Sequence, residues 1–220
     1  PADPSTVLKQ RIDRATEGEM GGELRSTLAR ATLLGRSFSL KPLCLLCAVP
    51  DDPDAPKLDG SVEQLEGLLE RAENAGLIVE QGQRRWRFSH DLLRGELRQI
   101  CRNLSNWKAL NLAAADLRAS RATADPTGIE LEVVARHYWE AGEREKALRM
   151  GLEGLNLLHS AGLMGHATSF ARRLLRWNDE CNLLSPVDQG ELCLLASVAA
   201  EHAGQPIEAE QHARAAADTA

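Results

Sequence analysis

The sequence predicts a mainly α-helical protein with one small β-hairpin, and three observations carry this prediction. Hydrophobic residues make up 43% of the 220 residues and aromatic residues only 4%, which is typical of helices packed on helices. Apolar residues recur at spacings of three and four along most of the chain, as at Leu65, Leu68 and Leu69. A strand-like alternation of apolar and polar residues is convincing only around Trp86 and Phe88.

The chain begins with a polar segment, residues 1–22, which is rich in proline and glycine. We expect it to be a leader or the remnant of a preceding domain, although "STVLKQRIDRA" could form a short helix. A helical stripe then runs from Glu23 to about Gly35. The stretch "SFSLKPLCLLCAVP" predicts a second short helix that ends at Pro50, and residues 51–60 predict a loop.

A third helix and a hairpin follow this loop. Ser61 and Gln64 resemble a capping box at the start of the helix, which we expect to end near Gly76. The apolar residues 77–79, a turn at Gly82 and the alternation in "RWRF" then predict two paired strands. Helical periodicity resumes in "DLLRGELRQI" and in "SNWKALNLAAADLRAS".

Three helices followed by a hairpin is the element order of a winged helix-turn-helix, and we assign residues 23–120 to such a module. Its third helix would occupy the position that reads DNA. That helix, "SVEQLEGLLERAENAG", carries four glutamates and one arginine. Contact with the phosphates dominates the affinity of proteins for DNA, and a helix with this negative charge would repel them. The sequence therefore disfavours direct DNA binding.

The second half of the chain contains an internal repeat, because the pattern AGxxxxA begins at Ala141, Ala161 and Ala203. Each glycine is expected to end a helix, and each later alanine to let the next helix pack closely. Tyr138 and Ala147 lie nine residues apart, as the bulky and small residues of tetratricopeptide repeats do. We predict a tetratricopeptide-like solenoid, cut from a longer array, over residues 125–220, with helices at 129–141, 143–161, 163–179, 187–203 and from 205 onward.

Charge and cysteine content narrow the possible environments and partners. The formal charge is -6, so the chain as a whole offers no electrostatic attraction to nucleic acid or to an anionic membrane. It has no apolar run of the ~18 residues that a membrane span needs. Five cysteines without framework spacing suit a reducing compartment, so we expect a cytoplasmic protein with mostly buried thiols.

The chain lacks the short motifs of common enzymes. No GxxxxGK[ST], GxSxG or HExxH is present, and no GxGxxG follows a strand, so we expect no catalytic activity from these residues. Cys44 and Cys47 form a CxxC, which could be a redox pair or half a zinc site. Nothing completes such a site, and the favoured interpretation is two small hydrophobic residues of a core.

The segment "RRWRFSHDLLRGEL" places His90 and Asp91 where the hairpin gives way to a helix. The simplest interpretation is a helix N-terminus at which Ser89 or Asp91 caps the helix and His90 is exposed. The order of the three helices, this hairpin and the repeats resembles the region that follows the ATPase core in STAND-class regulators. These are signal-transduction ATPases that include LuxR-type maltose-activator relatives and kinase-linked bacterial regulators.

The resemblance covers about residues 23–200 and is most specific in "RFSHDLLR". In that family a winged-helix domain folds back on the nucleotide domain, and the histidine of a short motif ending in His-Asp contacts the phosphates of ADP. The resemblance implies this role for His90 within the cofactor-binding set Ser89, His90 and Asp91, with Asp91 orienting His90 or capping the helix. Gly95 departs from the family, since relatives carry a better helix former there.

The resemblance implies a non-catalytic regulatory fragment of a signal-transduction ATPase and transcriptional regulator. Its first module would couple to an upstream ATPase domain in cis, and its repeats would bind a protein partner or a small-molecule inducer. ATP or ADP would belong to the parent protein, and this chain alone would hold no cofactor and no metal. Two alternatives stay open: an interaction scaffold without a nucleotide switch, and a winged-helix DNA-binding regulator.

Overall fold

The computed structural model describes residues 4–18, 20–50, 61–121 and 126–219. These residues are mainly helical and include a small antiparallel sheet of three strands, so the predicted fold class is confirmed at this level. The chain divides into two compact units, residues 1–114 and 115–220. The division falls inside a helix, before the stretch "RATADPTG", residues 121–128, whose composition predicts a linker.

Within its described residues, the first unit contains six helices and three strands. Its elements are α1 (Pro4–Ala15), α2 (Gly21–Ala31), a 3-10 turn (Thr32–Leu34), β1 (Ser37–Ser39), α3 (Leu40–Cys47), α4 (Val62–Asn74), β2 (Ile78–Glu80), β3 (Arg85–Phe88), α5 (Asp91–Arg102) and α6 (Trp107–Ala119), which continues into the second unit. Strand β3 lies between β1 and β2 and pairs antiparallel with both. The predicted hairpin is therefore confirmed.

Strand β1 corrects the prediction of a helix over all of "SFSLKPLCLLCAVP". Phe38 pairs with Trp86 across the ladder and packs its ring 5.4 Å from that of Phe88. The backbone N–H of Leu40 then donates to the carbonyl of Arg84. A strand of three residues is too short to show an alternation of apolar and polar residues in the sequence. Its position is fixed instead by pairing with β3, almost fifty residues further along the chain.

Helix α1, within the segment predicted to be a leader or the remnant of a preceding domain, packs into the first unit. Ile12 is buried in the main core, and Leu8 and Ala15 pack against that core. The Arg11 guanidinium donates a hydrogen bond to the carbonyl of Ala75, just after α4. The apolar face of α1 was hidden in the sequence because polar residues surround it.

The buried guanidinium of Arg30 joins α2 to the end of α3. Arg30 is only 1% exposed, and its Nη1 lies within 3.0 Å of the carbonyl oxygens of Leu46, Cys47 and Val49, to which it donates. The last carbonyls of a helix have no partner within that helix and carry partial negative charge. The Arg30 guanidinium donates hydrogen bonds to these carbonyl oxygens and places a positive charge beside them.

Replacing Arg30 by methionine should destabilise the first unit by about 3 kcal/mol, because the buried carbonyls at the end of α3 lose their donor. Arg25→Met, on the same helix but at a half-exposed ion pair with Asp13, should cost under about 1 kcal/mol. Urea unfolding of both variants measures the difference. Equal destabilisation by the two substitutions would contradict this role of Arg30.

The second unit contains the five predicted helices. They are α7 (Gly128–Ala141), α8 (Arg144–Ser160), α9 (Met164–Cys181), α10 (Pro186–His202) and α11 (Pro206–Asp218). Gly142 is the C-cap of α7, and Gly162 and Gly204 directly follow the C-cap residues of α8 and α10. Their φ values are 90°, 70° and 73°, so the prediction that each glycine ends a helix is confirmed. The alanines of the same motif, Ala147, Ala167 and Ala209, are buried where the next helix packs.

Contacts between alternate helices arrange this unit in two layers. The rings of Trp139 on α7 and Trp177 on α9 stack with centroids 4.6 Å apart. Arg172 of α9 forms a bidentate ion pair with Glu208 of α11. On the other side, the Asn156 amide of α8 donates to Glu191 of α10 at 2.7 Å. Helices α7, α9 and α11 therefore form one layer, and α8 and α10 the other.

Substitution of Gly128 should test the close packing of α7 on α8. A Cβ there would lie 2.7 Å from the Gly154 carbonyl oxygen and the Leu158 backbone nitrogen, so Gly128→Ala should cost about 2 kcal/mol through overpacking. Gly165→Ala in α9, where an added Cβ meets no described atom within 4 Å, should be neutral or slightly stabilising. Thermal unfolding compares the two, and an unaffected Gly128→Ala would refute this account.

A hydrogen bond from Tyr138 makes the second unit sensitive to high pH. The Tyr138 hydroxyl donates to Asp116 at 2.9 Å. Burial, this hydrogen bond and the charges of Asp116 and Glu143 raise the pKa of Tyr138 from 10.0 to about 12. Because folding favours the protonated phenol, its contribution is fully present below pH 10 and is lost as the pH rises through about 12.

Stability should therefore fall between pH 9.5 and 12 more steeply in the parent chain than in Tyr138→Phe, which has no phenol proton to lose. Urea midpoints measured across this range for both proteins give the difference. At pH 8 the substitution itself should cost about 1 kcal/mol for the lost hydrogen bond. Parallel pH curves for the two proteins would show that Tyr138 is not the group responsible.

Candidate functional site

The candidate site lies where β3 ends and α5 begins. Ser89 follows the strand directly, and both its backbone N–H and its hydroxyl donate to the carbonyl of Leu77 at 3.0 Å. These two bonds fasten the end of β3 to the residue that precedes β2. The Ser89 hydroxyl hydrogen is thus used within the fold, and its role is to position the next residue.

His90 is the N-cap residue of α5, with extended backbone angles of φ -141° and ψ 142°. Its ring is exposed, and within the described residues no side chain caps this helix. The N–H groups of the first turn of a helix have no partner inside it and carry partial positive charge. The imidazole and these N–H groups therefore both lie at the start of α5.

Asp91, the first residue of α5, stands between two arginines. Its Oδ1 lies 3.7 Å from the Nε of Arg36 and 3.7 Å from the Nε of Arg94. These separations are too long for hydrogen bonds, and exposed pairs of this kind contribute little stability. The two guanidiniums are held near the helix N-terminus by a weak interaction that a stronger anion could replace.

The outer face of the sheet adds further positive charge to the same unit. Arg85 and Arg87 are exposed on β3, where alternation turns Trp86 and Phe88 into the core. Arg87 lies between Ser37 of β1 and Val79 of β2 in the ladder. The strand that leads to His90 therefore carries arginines on its exposed face.

The His90 imidazole, the N-terminus of α5 and the guanidiniums of Arg36 and Arg94 can together bind an anion with several oxygens, such as a phosphate. Guanidiniums donate charge-assisted hydrogen bonds to phosphate oxygens, an imidazole N–H is a directional donor, and a helix N-terminus favours negative charge. Asp91 opposes an anion placed directly against it. A ligand would therefore displace the Asp91 carboxylate from one arginine or approach from the side of His90.

Sequence reasoning selected Ser89, His90 and Asp91, and the structure holds them together at one helix start. It did not select Arg36 or Arg94. Arg94 lies four residues after His90, so helical spacing could have indicated it. Arg36 reaches the site because its carbonyl accepts from the Phe88 N–H next to β1, and no local signal in the sequence reveals that pairing.

Helix α4, which occupies the DNA-reading position of the predicted module, presents an acidic surface. Glu63 and Glu70 are exposed. Glu66 forms an ion pair with Arg84 at 2.9 Å, and Glu73 accepts from the Glu80 N–H. Of the four glutamates, two thus have partners inside the unit and two face solvent.

The cysteines are free thiols. Cys47, Cys101 and Cys193 are buried, as predicted for most of them, and Cys44 and Cys181 are partly buried. Burial raises the pKa of the Cys44 thiol, against the lowering effect of a backbone hydrogen bond, which keeps it in the unreactive form. Within the described residues no group of three potential metal ligands occurs, and no described helix is long and apolar enough to span a membrane.

The chain was also compared with known proteins by sequence and by structure. No protein-family model, no curated protein and no solved structure matches it.

Proposed function

We propose that this chain is a regulatory part of a signal-transduction ATPase, in which His90 responds to the nucleotide held by an upstream ATPase domain. The observation that carries the proposal is the exposed His90 at the start of α5, directly before Asp91, whose carboxylate lies 3.7 Å from both Arg36 and Arg94. An enzyme needs positioned catalytic groups, and we assign none to this chain. Its five free thiols support a cytoplasmic location as part of the same proposal.

Two features of the architecture support the finer assignment. Helices α2, α3 and α4 precede the β2–β3 hairpin, which is the order of a winged helix. Helices α7 to α11 stack in two layers, and a glycine with positive φ ends α7, α8 and α10, which suits a tetratricopeptide-like solenoid. We therefore interpret the first unit as a winged-helix module and the second as helical repeats.

The proposed switch works by differential contact with the nucleotide phosphates. The His90 imidazole would donate a hydrogen bond to a phosphate oxygen of ADP, with Arg36 and Arg94 balancing the charge. An additional phosphate in ATP would change the position and charge of that oxygen. A ligand can shift a two-state equilibrium only by its difference in affinity for the two states, and this contact supplies such a difference.

His90→Ala in the full-length protein should lower ADP retention and raise basal signalling, because a direct donor to the phosphate is lost. A net loss of about 1.5 kcal/mol for a charge-assisted hydrogen bond corresponds to roughly tenfold weaker ADP binding. The measurement is the fraction of ADP that remains after purification and dialysis, together with the ADP dissociation constant.

His166→Ala is the matched control, since His166 is exposed on α9 of the other unit and should leave ADP retention unchanged. Both variants should unfold at the temperature of the parent protein, because neither ring is buried. An unchanged ADP affinity in the His90 variant would reject the role of His90.

An interaction scaffold without a nucleotide switch is the second candidate, favoured by a surface groove between α8 and α10. The coding sequence before Pro1 separates the two functions. A GxxxxGK[ST] motif after a strand would support the switch, whereas its absence from the whole gene would leave the scaffold.

A further inference from the structure

One face of helix α8 borders a surface groove along most of the helix. Glu145, Arg149 and Glu153 on this face are exposed, whereas Leu148 and Leu152 are buried. Residues at spacings of three and four, from Glu145 to Ser160, line this groove, whose other wall is formed by Leu183, Leu184 and the start of α10. At 1.5 Å per residue this face is roughly 22 Å long. The groove has a volume of about 460 Å³ and is here called the α8–α10 groove.

The face of α8 opposite the groove packs closely against α7 and α9. Gly151 and Gly154 approach Leu174 of α9 and Leu131 of α7 so closely that a Cβ on either glycine would lie under 3.0 Å from them. Helix α8 is therefore held tightly on its inner face by α7 and α9. On its outer face, the Asn156 amide donates a hydrogen bond to Glu191 of α10.

Leucines form the apolar part of the groove. Leu152 and Leu157 of α8 lie opposite Leu183 and Leu184, which precede α10. Leu183 is 50% exposed, and Leu157 and Leu184 are partly exposed. Leu152 is already buried, so a partner would gain roughly 25 cal/mol for each Å² of apolar surface that it covers on Leu157, Leu183 and Leu184.

The rim of the groove is strongly acidic. Glu145, Glu153, Asp188 and Glu191 line it together with one cation, Arg149, which leaves a net charge of -3. Arg149 is already paired with Glu145 at 2.6 Å. Glu153 is exposed and forms no ion pair with any described residue, so its charge is available to an approaching cation.

We infer that the α8–α10 groove binds a cationic, amphipathic segment of a partner protein. Apolar side chains of the segment cover the leucines, and its Lys or Arg side chains pair with Glu153, Asp188 and Glu191. The elongated, open shape fits an extended or helical segment that lies along α8. This inference rests on the part of the proposed function that gives the helical repeats a protein partner.

Fluorescence anisotropy with the complete 220-residue chain tests the inference. The probe is a labelled peptide of about 18 residues made of Leu and Lys, with the leucines at helical spacing. Its counterpart carries Glu in place of every Lys. The Lys peptide should bind at least tenfold more tightly than the Glu peptide, and its affinity should fall as salt is added.

Two substitutions with the same change in net charge locate the binding. Glu153→Arg should weaken binding of the Lys peptide at least fivefold, whereas Glu201→Arg, at an exposed position near the far end of α10, should change it less than twofold. Circular dichroism checks that both variants remain folded. Equal weakening by both variants, no effect of Glu153→Arg, or tight binding of the Glu peptide would each overturn the inference.

This experiment contains no nucleotide, and the ADP measurement on His90→Ala contains no peptide. Failure of the groove would therefore leave the His90 switch intact, and failure of the switch would leave the groove.

Discussion

The burial of Trp86 and Phe88 fixes the place of β3, and the candidate site depends on that strand. Both side chains lie in the core of the first unit with Phe38, and burial of each large aromatic contributes roughly 2 to 3 kcal/mol. Because successive residues of a strand face opposite sides, the same burial turns Arg85 and Arg87 outward. It also brings Ser89 to Leu77 and leaves His90 at the start of α5.

Local signals in the sequence were sufficient for much of this fold. Helices α7, α8 and α10 of the second unit end at Gly142, Gly162 and Gly204, and glycine adopts the positive φ that these helix ends require at low cost. The hairpin could be predicted because Gly82 lies between the apolar run 77–79 and the alternating stretch "RWRF", which form β2 and β3. In each case the information lies within a few residues of the element that it specifies.

What the sequence did not reveal depends on contacts between distant residues. Arg30 looks like an ordinary helix arginine, yet it is buried because the carbonyls that end α3 lie next to it. Strand β1 and the position of Arg36 depend on pairing with β3. Ser89 and Asp91 could be selected from the local sequence. Their partners, Leu77 and Arg36, could not, because they approach only when the three strands pair.

The net charge of the chain describes neither the surface at the start of α5 nor the α8–α10 groove. A total of -6 argued against a basic footprint for the chain as a whole, yet Arg36 and Arg94 lie at the start of α5 and carboxylates line the α8–α10 groove. At physiological ionic strength charges are screened over about 8 Å, so a ligand responds to the few side chains nearest to it. An anion at His90 and a cation beside Glu153 therefore meet fields of opposite sign. The net charge adds the charges of both surfaces together, and only the folded structure shows which side chains belong to each surface.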